Sequence, residues 1–158
     1  MPHIHDNIDF TVEVFVVKDG KVLLRKHDKY NKWLSIGGHV ELNEDTDEAV
    51  VREVKEEVGL NINLVSNGKL FDLEKDQYKH LIIPFFMNRH RINNNHEHIT
   101  LIYFAKSESY EIVQGEKEVS QECRWFTMKE LVDLNEGISQ TVKNYAINAL
   151  NYFDKYGN

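Results

Sequence analysis

The spacing of apolar residues along the chain predicts several strands. Residues 10–17 are mostly apolar and β-branched, and Asp19-Gly20 separates them from a second apolar stretch at residues 21–25. An Asp-Gly pair between two such runs is typical of a tight turn, so the two runs predict a β-hairpin. Further apolar runs predict strands at residues 33–36, 62–73, 80–90, 98–105 and 122–126.

The C-terminal part of the chain predicts two helices. Residues 127–134 begin with Thr127 and place Glu130 three positions later, which is the pattern of a capping box. Residues 138–153 place apolar side chains on one helical face and predict an amphipathic helix. Together with the strands, these helices predict an α/β fold in which a mixed β-sheet is covered on both faces.

Composition and charge narrow the classes of function. The chain has 158 residues, which suggests one domain over residues 1–158, and its formal net charge is −7. An acidic balance argues against a general nucleic-acid binder. The single cysteine, Cys123, excludes an internal disulfide framework. The apolar run at residues 81–87 is too short to span a bilayer and no secretory signal is visible, so we expect a cytoplasmic protein without a membrane partner.

An acidic segment, residues 38–60, contains most of the net charge, with eight acidic and two basic side chains. Within it, residues 45–58 show helical periodicity, with Asp45 as the expected N-cap and Gly59 as the expected stop. Helical spacing places four valines on an apolar face: Val50, Val51, Val54 and Val58. The same spacing places three acids on another face: Glu53, Glu56 and Glu57.

Two interpretations of this acidic face are open at this point. Like charges three or four residues apart on a helix repel each other, so a stack of three acids is unusual for a merely solvated surface. Carboxylate oxygens are the ligands that a hard divalent cation such as Mg²⁺ prefers. The pattern is therefore compatible with an acidic surface helix and with a cation site.

The acidic segment resembles the Nudix box, G-x5-E-x7-R-E-U-x-E-E-x-G-U, in which U is a bulky aliphatic residue. Every specified position is filled without a gap, by Gly38, Glu44, Arg52, Glu53, Val54, Glu56, Glu57, Gly59 and Leu60. The hairpin before the box also fits, as do Trp125-Phe126 and Glu130-Leu131 after it. One departure is Ile36, where many members carry proline, and this change concerns the rigidity of a turn rather than the chemistry.

The resemblance implies a Nudix α/β/α sandwich with a mixed β-sheet. It also implies hydrolysis of a nucleoside diphosphate-linked compound in a reaction that depends on Mg²⁺ or Mn²⁺. By matched position it implies a set of metal ligands: the carboxylates of Glu53, Glu56 and Glu57, supported by Glu44 and the Gly38 carbonyl. Arg52 would orient a carboxylate through charge-assisted hydrogen bonds.

Catalysis is expected to depend on three residues of the box: Glu53, Arg52 and Glu56. One carboxylate must accept the proton of the attacking water. Glu53 is one candidate for this base. In some relatives the base comes from a downstream loop, where Glu116 and Glu118 are available in this chain.

The residues just before the box are candidates for substrate binding. Arg25 and Lys26 belong to a local surplus of positive charge that could hold phosphate groups, although an ordinary solvated loop is the alternative. Tyr30 could stack on a base, and Gly37 would let the backbone approach a phosphate closely. Trp33 is expected in the core.

Three histidines, His90, His96 and His98, lie close together in the sequence. His96 and His98 share one face of a predicted strand. They could line the substrate cleft or serve as ordinary surface or core residues. A zinc site would need a third or fourth ligand, and the sequence spacing indicates none.

These features favour a Nudix hydrolase whose substrate is a nucleotide-type small molecule rather than a nucleic-acid polymer. A (deoxy)nucleoside triphosphate is the first substrate that we expect, with dinucleoside polyphosphates and nucleotide sugars as alternatives. A nucleotide-sensing Nudix module without turnover is the rival from another class. The complete set of glutamates argues against that rival. Dimers are common among relatives, so a homodimer is left open.

Overall fold

The computed structural model describes residues 7–70, 77–115 and 119–157, and the statements below concern these residues. They form one sheet of eight strands: β1 Ile8–Lys18, β2 Lys21–His27, β3 Lys32–Leu34, β4 Ile36–His39, β5 Ile62–Val65, β6 Phe86–Asn93, β7 His96–Ser107 and β8 Glu122–Thr127. They also form three helices: α1 Thr46–Val58, α2 Met128–Asp133 and α3 Gln140–Tyr156. None of these helices has the length and apolar character needed to cross a membrane.

The β1 strand lies in the middle of this mixed sheet. It pairs antiparallel with β2 and β4 and parallel with β7. The β7 strand also pairs with β5 and β6, and β2 pairs with β3 and β8. The turn between β1 and β2 uses Asp19 at φ 44° and Gly20 at φ 72°, the positive values that a tight Asp-Gly turn requires. The predicted hairpin is therefore confirmed.

Alternation along β1 distributes the core over both faces of the sheet. Val12, Val14 and Val16 belong to the apolar cluster that contains the buried face of α1. Phe15 and Val17 point the other way and belong to the cluster that contains the buried residues of α2 and α3. The sheet thus lies between α1 on one face and the C-terminal helices on the other, which is the predicted α/β/α sandwich.

Two strands are shorter than their apolar pattern indicates. The β5 strand ends at Val65, and the chain then bends towards Gly68, where φ is 137°. Residues 71–76 of the predicted strand lie outside the described residues. The β6 strand begins at Phe86 rather than at residue 80, because Pro84 has no N–H group to donate to a strand ladder.

The predicted ends of α1 and the predicted start of α2 agree with the structure, whereas α3 runs from Gln140 to Tyr156 rather than over residues 138–153. The Asp45 carboxylate accepts the backbone N–H groups of residues 47 and 48 at 3.0 Å, and α1 ends at Gly59 with a left-handed φ of 70°. Thr127 forms the predicted capping box at the start of α2. Val51 differs from the prediction: it is half exposed while the other three valines of the apolar face are buried, because the sheet covers a narrower arc of α1 than the valines span.

Candidate active site

The three glutamates of α1 have different environments. Glu53 and Glu57 are 5% and 0% exposed, whereas the Glu56 side chain is 62% exposed. The helix places all three on one side, as the spacing predicts. Because that side is turned partly towards the sheet, two of the carboxylates lie between α1 and β4 and only Glu56 projects into solvent.

The two glycines of β4 lie directly against the buried carboxylates. A Cβ atom added at Gly38 would lie 2.3 Å from Oε1 of Glu53, so only glycine leaves space for this carboxylate. The Gly37 N–H donates to Oε2 of Glu57 at 3.2 Å. Gly37 also has φ 154° and packs against the β1 backbone, where a Cβ would lie 2.0 Å from the Val12 carbonyl oxygen. The double glycine therefore lets the two buried carboxylates of α1 pack closely against β4.

Arg52 is the centre of a network of ion pairs. Its Nη2 and Nε donate to the two carboxylate oxygens of Glu44 at 2.7 and 3.0 Å. Its Nη1 donates to Glu53 at 2.9 Å and to Glu56 at 3.2 Å, and its Nη2 also reaches the His39 carbonyl at 3.0 Å. The Arg52 hydrogen bonds hold the pKa of Glu44 below its usual range. This is the geometry expected of a residue that orients carboxylates.

Arg25, which the sequence predicts as a substrate ligand, makes its closest ion pair with Glu57. The Arg25 Nη2 lies 2.5 Å from Oε1 of Glu57, and both side chains are largely buried. The Arg25 Nη1 also donates to the Ser120 hydroxyl at 3.4 Å. Its position on β2 directs the guanidinium to the buried end of α1, so in this structure its charge neutralises Glu57. Contact with a phosphate stays a prediction.

Lys26 and Tyr30, the other side chains predicted to bind substrate, contact residues of their own hairpin. The Lys26 Nζ lies 5.9 Å from the ring centroid of Trp33, which is buried in the core as predicted. The exposed Tyr30 ring packs on His27 with a centroid distance of 4.8 Å. The described contacts do not bring either side chain to the glutamates of α1, and their role in binding stays a prediction.

The alternative bases, Glu116 and Glu118, lie outside the described residues. Gly115, which directly precedes them, donates its N–H to the Glu56 carbonyl at 3.0 Å. Val113 donates to the carbonyl of the last residue of α1, also at 3.0 Å. The chain up to Gly115 therefore lies along the C-terminal end of the acidic helix.

The charges of this site suit a divalent cation. The Arg52 guanidinium contacts the carboxylates of Glu44, Glu53 and Glu56, and the Arg25 guanidinium contacts the carboxylate of Glu57. As ionised groups they carry two more negative than positive charges. Mg²⁺ and Mn²⁺ prefer oxygen ligands, so these residues fit the metal that the Nudix resemblance implies.

A second polar group lies elsewhere on the sheet. This histidine cluster consists of Asp9, His39, His96 and His98, and one potential ligand atom from each lies within 4.8 Å of the others. His96 and His98 are neighbours on one face of β7, as predicted. The sequence spacing did not predict Asp9 and His39 as members of this cluster, because they reach the other histidines only through the pairing of β1 with β7 and with β4. The signal that could have found them is their place beside two predicted strands: Asp9 directly precedes the strand predicted at residues 10–17, and His39 lies three residues after the strand predicted at residues 33–36.

Sequence comparison relates the chain to known hydrolases. The NUDIX domain family matches residues 9–145. The m7GpppN-mRNA hydrolase NUDT17 of Xenopus laevis is 33% identical over 129 residues, which cover 75% of this chain and 41% of that protein. A nudix hydrolase of Caenorhabditis elegans is 38% identical over 69 residues, which cover 39% of this chain and 19% of that protein. The chain thus spans less than half the length of these two relatives.

Solved structures agree with the sequence comparison. A NUDIX family hydrolase from Clostridium perfringens is 34% identical, has a TM-score of 0.81, and the match covers 92% of this chain and 97% of that chain. A MutT NUDIX hydrolase from Burkholderia pseudomallei is 20% identical with a TM-score of 0.62, covers 89% and 96% of the two chains, and shows the same fold. With the complete box at residues 38–60 and the family match over residues 9–145, the chain belongs to the Nudix hydrolase family.

Proposed function

We propose that this chain hydrolyses a diphosphate bond in a nucleoside diphosphate-linked compound and that the reaction depends on Mg²⁺ or Mn²⁺. A (deoxy)nucleoside triphosphate is the preferred substrate class. The observation that carries the proposal is the group of three carboxylates, from Glu44, Glu53 and Glu56, arranged around the Arg52 guanidinium, together with the buried Glu57 paired with Arg25. Nudix hydrolases use divalent metals and act on nucleotide-type substrates, so family membership supports the reaction class.

Some residues of the site would bind the metal, and others would orient the metal ligands. Glu53, Glu56 and Glu57 would hold the cation, with Glu44 and the Gly38 carbonyl in support. The bound cation supplies the positive charge that a polyphosphate needs in order to approach an acidic site. Arg52 contacts Glu44 through two hydrogen bonds and also reaches Glu53 and Glu56, which limits the movement of all three carboxylates.

Proton transfer from the attacking water requires a carboxylate within hydrogen-bond reach of it. Glu53 is one candidate, since it is buried beside Gly38 at the centre of the site. Glu116 and Glu118 are the other two candidates. They follow Gly115, whose hydrogen bond to the Glu56 carbonyl holds the preceding segment at the end of α1.

Similarity to the Xenopus m7GpppN-mRNA hydrolase favours a second candidate substrate, a capped RNA. The net charge of −7 does not favour binding of a long polyanion. A short cap dinucleotide presents a phosphate chain to the same carboxylates without the rest of the polymer. It therefore belongs in the first set of compounds tested, together with dinucleoside polyphosphates and nucleotide sugars.

A substrate panel with product identification tests this proposal. With Mg²⁺ present, we expect at least one of a deoxynucleoside triphosphate, a dinucleoside polyphosphate, a nucleotide sugar and a cap dinucleotide to lose a phosphate-containing product. Chelation by EDTA should abolish that release, because the carboxylates alone repel the substrate. Tight nucleotide binding without turnover in either Mg²⁺ or Mn²⁺ would instead support the nucleotide-sensing module.

A further inference from the structure

The centre of the histidine cluster is a buried carboxylate between two imidazoles. Asp9 is 3% exposed, and its Oδ2 lies 3.2 Å from Nε2 of His39 and 3.2 Å from Nε2 of His96. The His98 ring completes the group, with its centroid 4.9 Å from that of His39 and 5.0 Å from that of His96. Four polar side chains thus converge on one small volume.

Strand pairing fixes the backbone under this cluster. Asp9 lies opposite His98 in the parallel pair of β1 and β7, and Thr11 lies opposite His39 in the antiparallel pair of β1 and β4. Because side chains alternate along a strand, Asp9 and Thr11 share one face, and His96 and His98 share it as well. The ligand positions are therefore set by three adjacent strands, which are rigid supports compared with a loop.

We propose that the histidine cluster is a binding site for a divalent transition-metal cation, with Zn²⁺ as the ion that its donors fit best. The donors are three imidazole nitrogens and one carboxylate oxygen, and imidazole suits zinc and its neighbours rather than Mg²⁺. This donor set differs from the all-oxygen site on α1. The two sites would therefore select different metals.

The distances agree with a tetrahedral site. Ligand atoms that lie about 2.1 Å from a tetrahedral Zn²⁺ are about 3.4 Å from each other. The two distances from Asp9 Oδ2 to the imidazole nitrogens, 3.2 Å each, already match this edge length. All four potential ligand atoms lie within 4.8 Å of one another, so no pair exceeds the tetrahedral edge length by more than about 1.4 Å.

The surroundings of His98 favour its neutral imidazole, which is the form that binds metals. Burial, and then the neighbouring His39, His90 and His96, lower the pKa of His98 to about 4. His90 packs against His98 from β6 with a centroid distance of 5.5 Å, and its Nδ1 hydrogen-bonds the Asn88 side-chain oxygen at 2.9 Å.

A metal here would also hold the start of the Nudix box. His39 directly follows the double glycine, and its carbonyl accepts a hydrogen bond from Arg52 Nη2 at 3.0 Å. Fixing the His39 side chain would therefore fix the backbone between Gly38 and the Arg52 network. We assign the metal a positioning role in the fold of this loop rather than a part in bond cleavage.

Zinc binding by the untagged, metal-stripped chain tests the proposal. The probe is ZnCl₂ alone, and its affinity is measured by competition against a chromogenic chelator. We expect one Zn²⁺ per chain, and at least about 100-fold weaker binding in His98→Ala and in Asp9→Ala, since each change removes one of four ligands. Circular dichroism checks the fold of each variant. If both variants fail to fold, the visible spectrum of the Co²⁺-loaded wild type shows whether the ion is bound in a tetrahedral site with nitrogen ligands or is not bound in such a site.

Three matched controls separate this site from other sources of binding. His90→Ala removes a neighbouring ring outside the cluster, Glu56→Gln impairs the carboxylate site, and His3→Ala combined with His5→Ala removes the N-terminal histidines. Each should change the Zn²⁺ affinity by less than about threefold, because none removes a ligand of the cluster. The proposal is overturned if the wild type binds no stoichiometric Zn²⁺, if Co²⁺ shows no tetrahedral bands, or if any control abolishes binding.

Discussion

Replacing Glu56 with glutamine is expected to lower kcat by about 1000-fold, while the free energy of unfolding changes little. The substitution keeps the size of the side chain and removes one negative charge from the proposed metal ligands. Glu56 is largely exposed, and its ion pair with Arg52 spans 3.2 Å at the surface, where such pairs contribute little to stability. Steady-state kinetics at several Mg²⁺ concentrations, together with urea unfolding, measures both quantities.

Glu41→Gln is the matched control for this experiment. Glu41 is an exposed acid of the same segment, and the family pattern gives it no ligand role. Its replacement should change kcat by less than about twofold, which would exclude a general effect of lost charge. A Glu56→Gln variant with wild-type turnover at limiting Mg²⁺ would show that Glu56 is not a ligand.

Replacing Arg25 with methionine is expected to lower the free energy of unfolding by about 3–5 kcal/mol in the absence of divalent cations. The reason is that Glu57 is 0% exposed and would lose the guanidinium that lies 2.5 Å from its Oε1. The Gly37 N–H donates a longer hydrogen bond, of 3.2 Å, to its other carboxylate oxygen. Urea unfolding with EDTA present measures the loss, and Mg²⁺ should restore more stability to this variant than to the wild type.

Two further variants identify the cause of that loss. Adding Glu57→Gln to Arg25→Met removes the uncompensated charge and should recover part of the stability. Lys26→Met removes a positive charge from the next position of the same strand and should cost less than about 0.5 kcal/mol, since Lys26 is only half-buried. If Arg25→Met costs less than about 1 kcal/mol, Glu57 is neutralised by something other than Arg25.

The features that the sequence predicted correctly depend on short stretches of chain. The Asp-Gly turn after β1, the Asp45 cap and the Gly59 stop each involve hydrogen bonds between residues a few positions apart. The helix between them follows from the periodicity of its own side chains. For this reason the acidic helix and its boundaries could be located without any knowledge of the sheet.

Features that depend on contacts between distant segments could not be predicted in this way. Helical spacing places Glu53, Glu56 and Glu57 together, but only the position of α1 against β4 decides which of them are buried. The Arg25–Glu57 pair depends on the packing of α1 against β2, and the Asp9–His39 contact depends on the pairing of β1 with β4. A one-residue change in strand register would move either contact to the other face, and the sequence alone does not specify the register.

A crystal structure with Mn²⁺ and a non-hydrolysable nucleoside triphosphate analogue would test the proposed metal site most directly. We expect anomalous density for Mn²⁺ about 2.1 Å from carboxylate oxygens of at least two of Glu53, Glu56 and Glu57, with analogue phosphates on the other side of the ion. The contrary result would be no anomalous density near these oxygens at millimolar Mn²⁺ with the analogue present, and the carboxylates still bound only to Arg52 and Arg25.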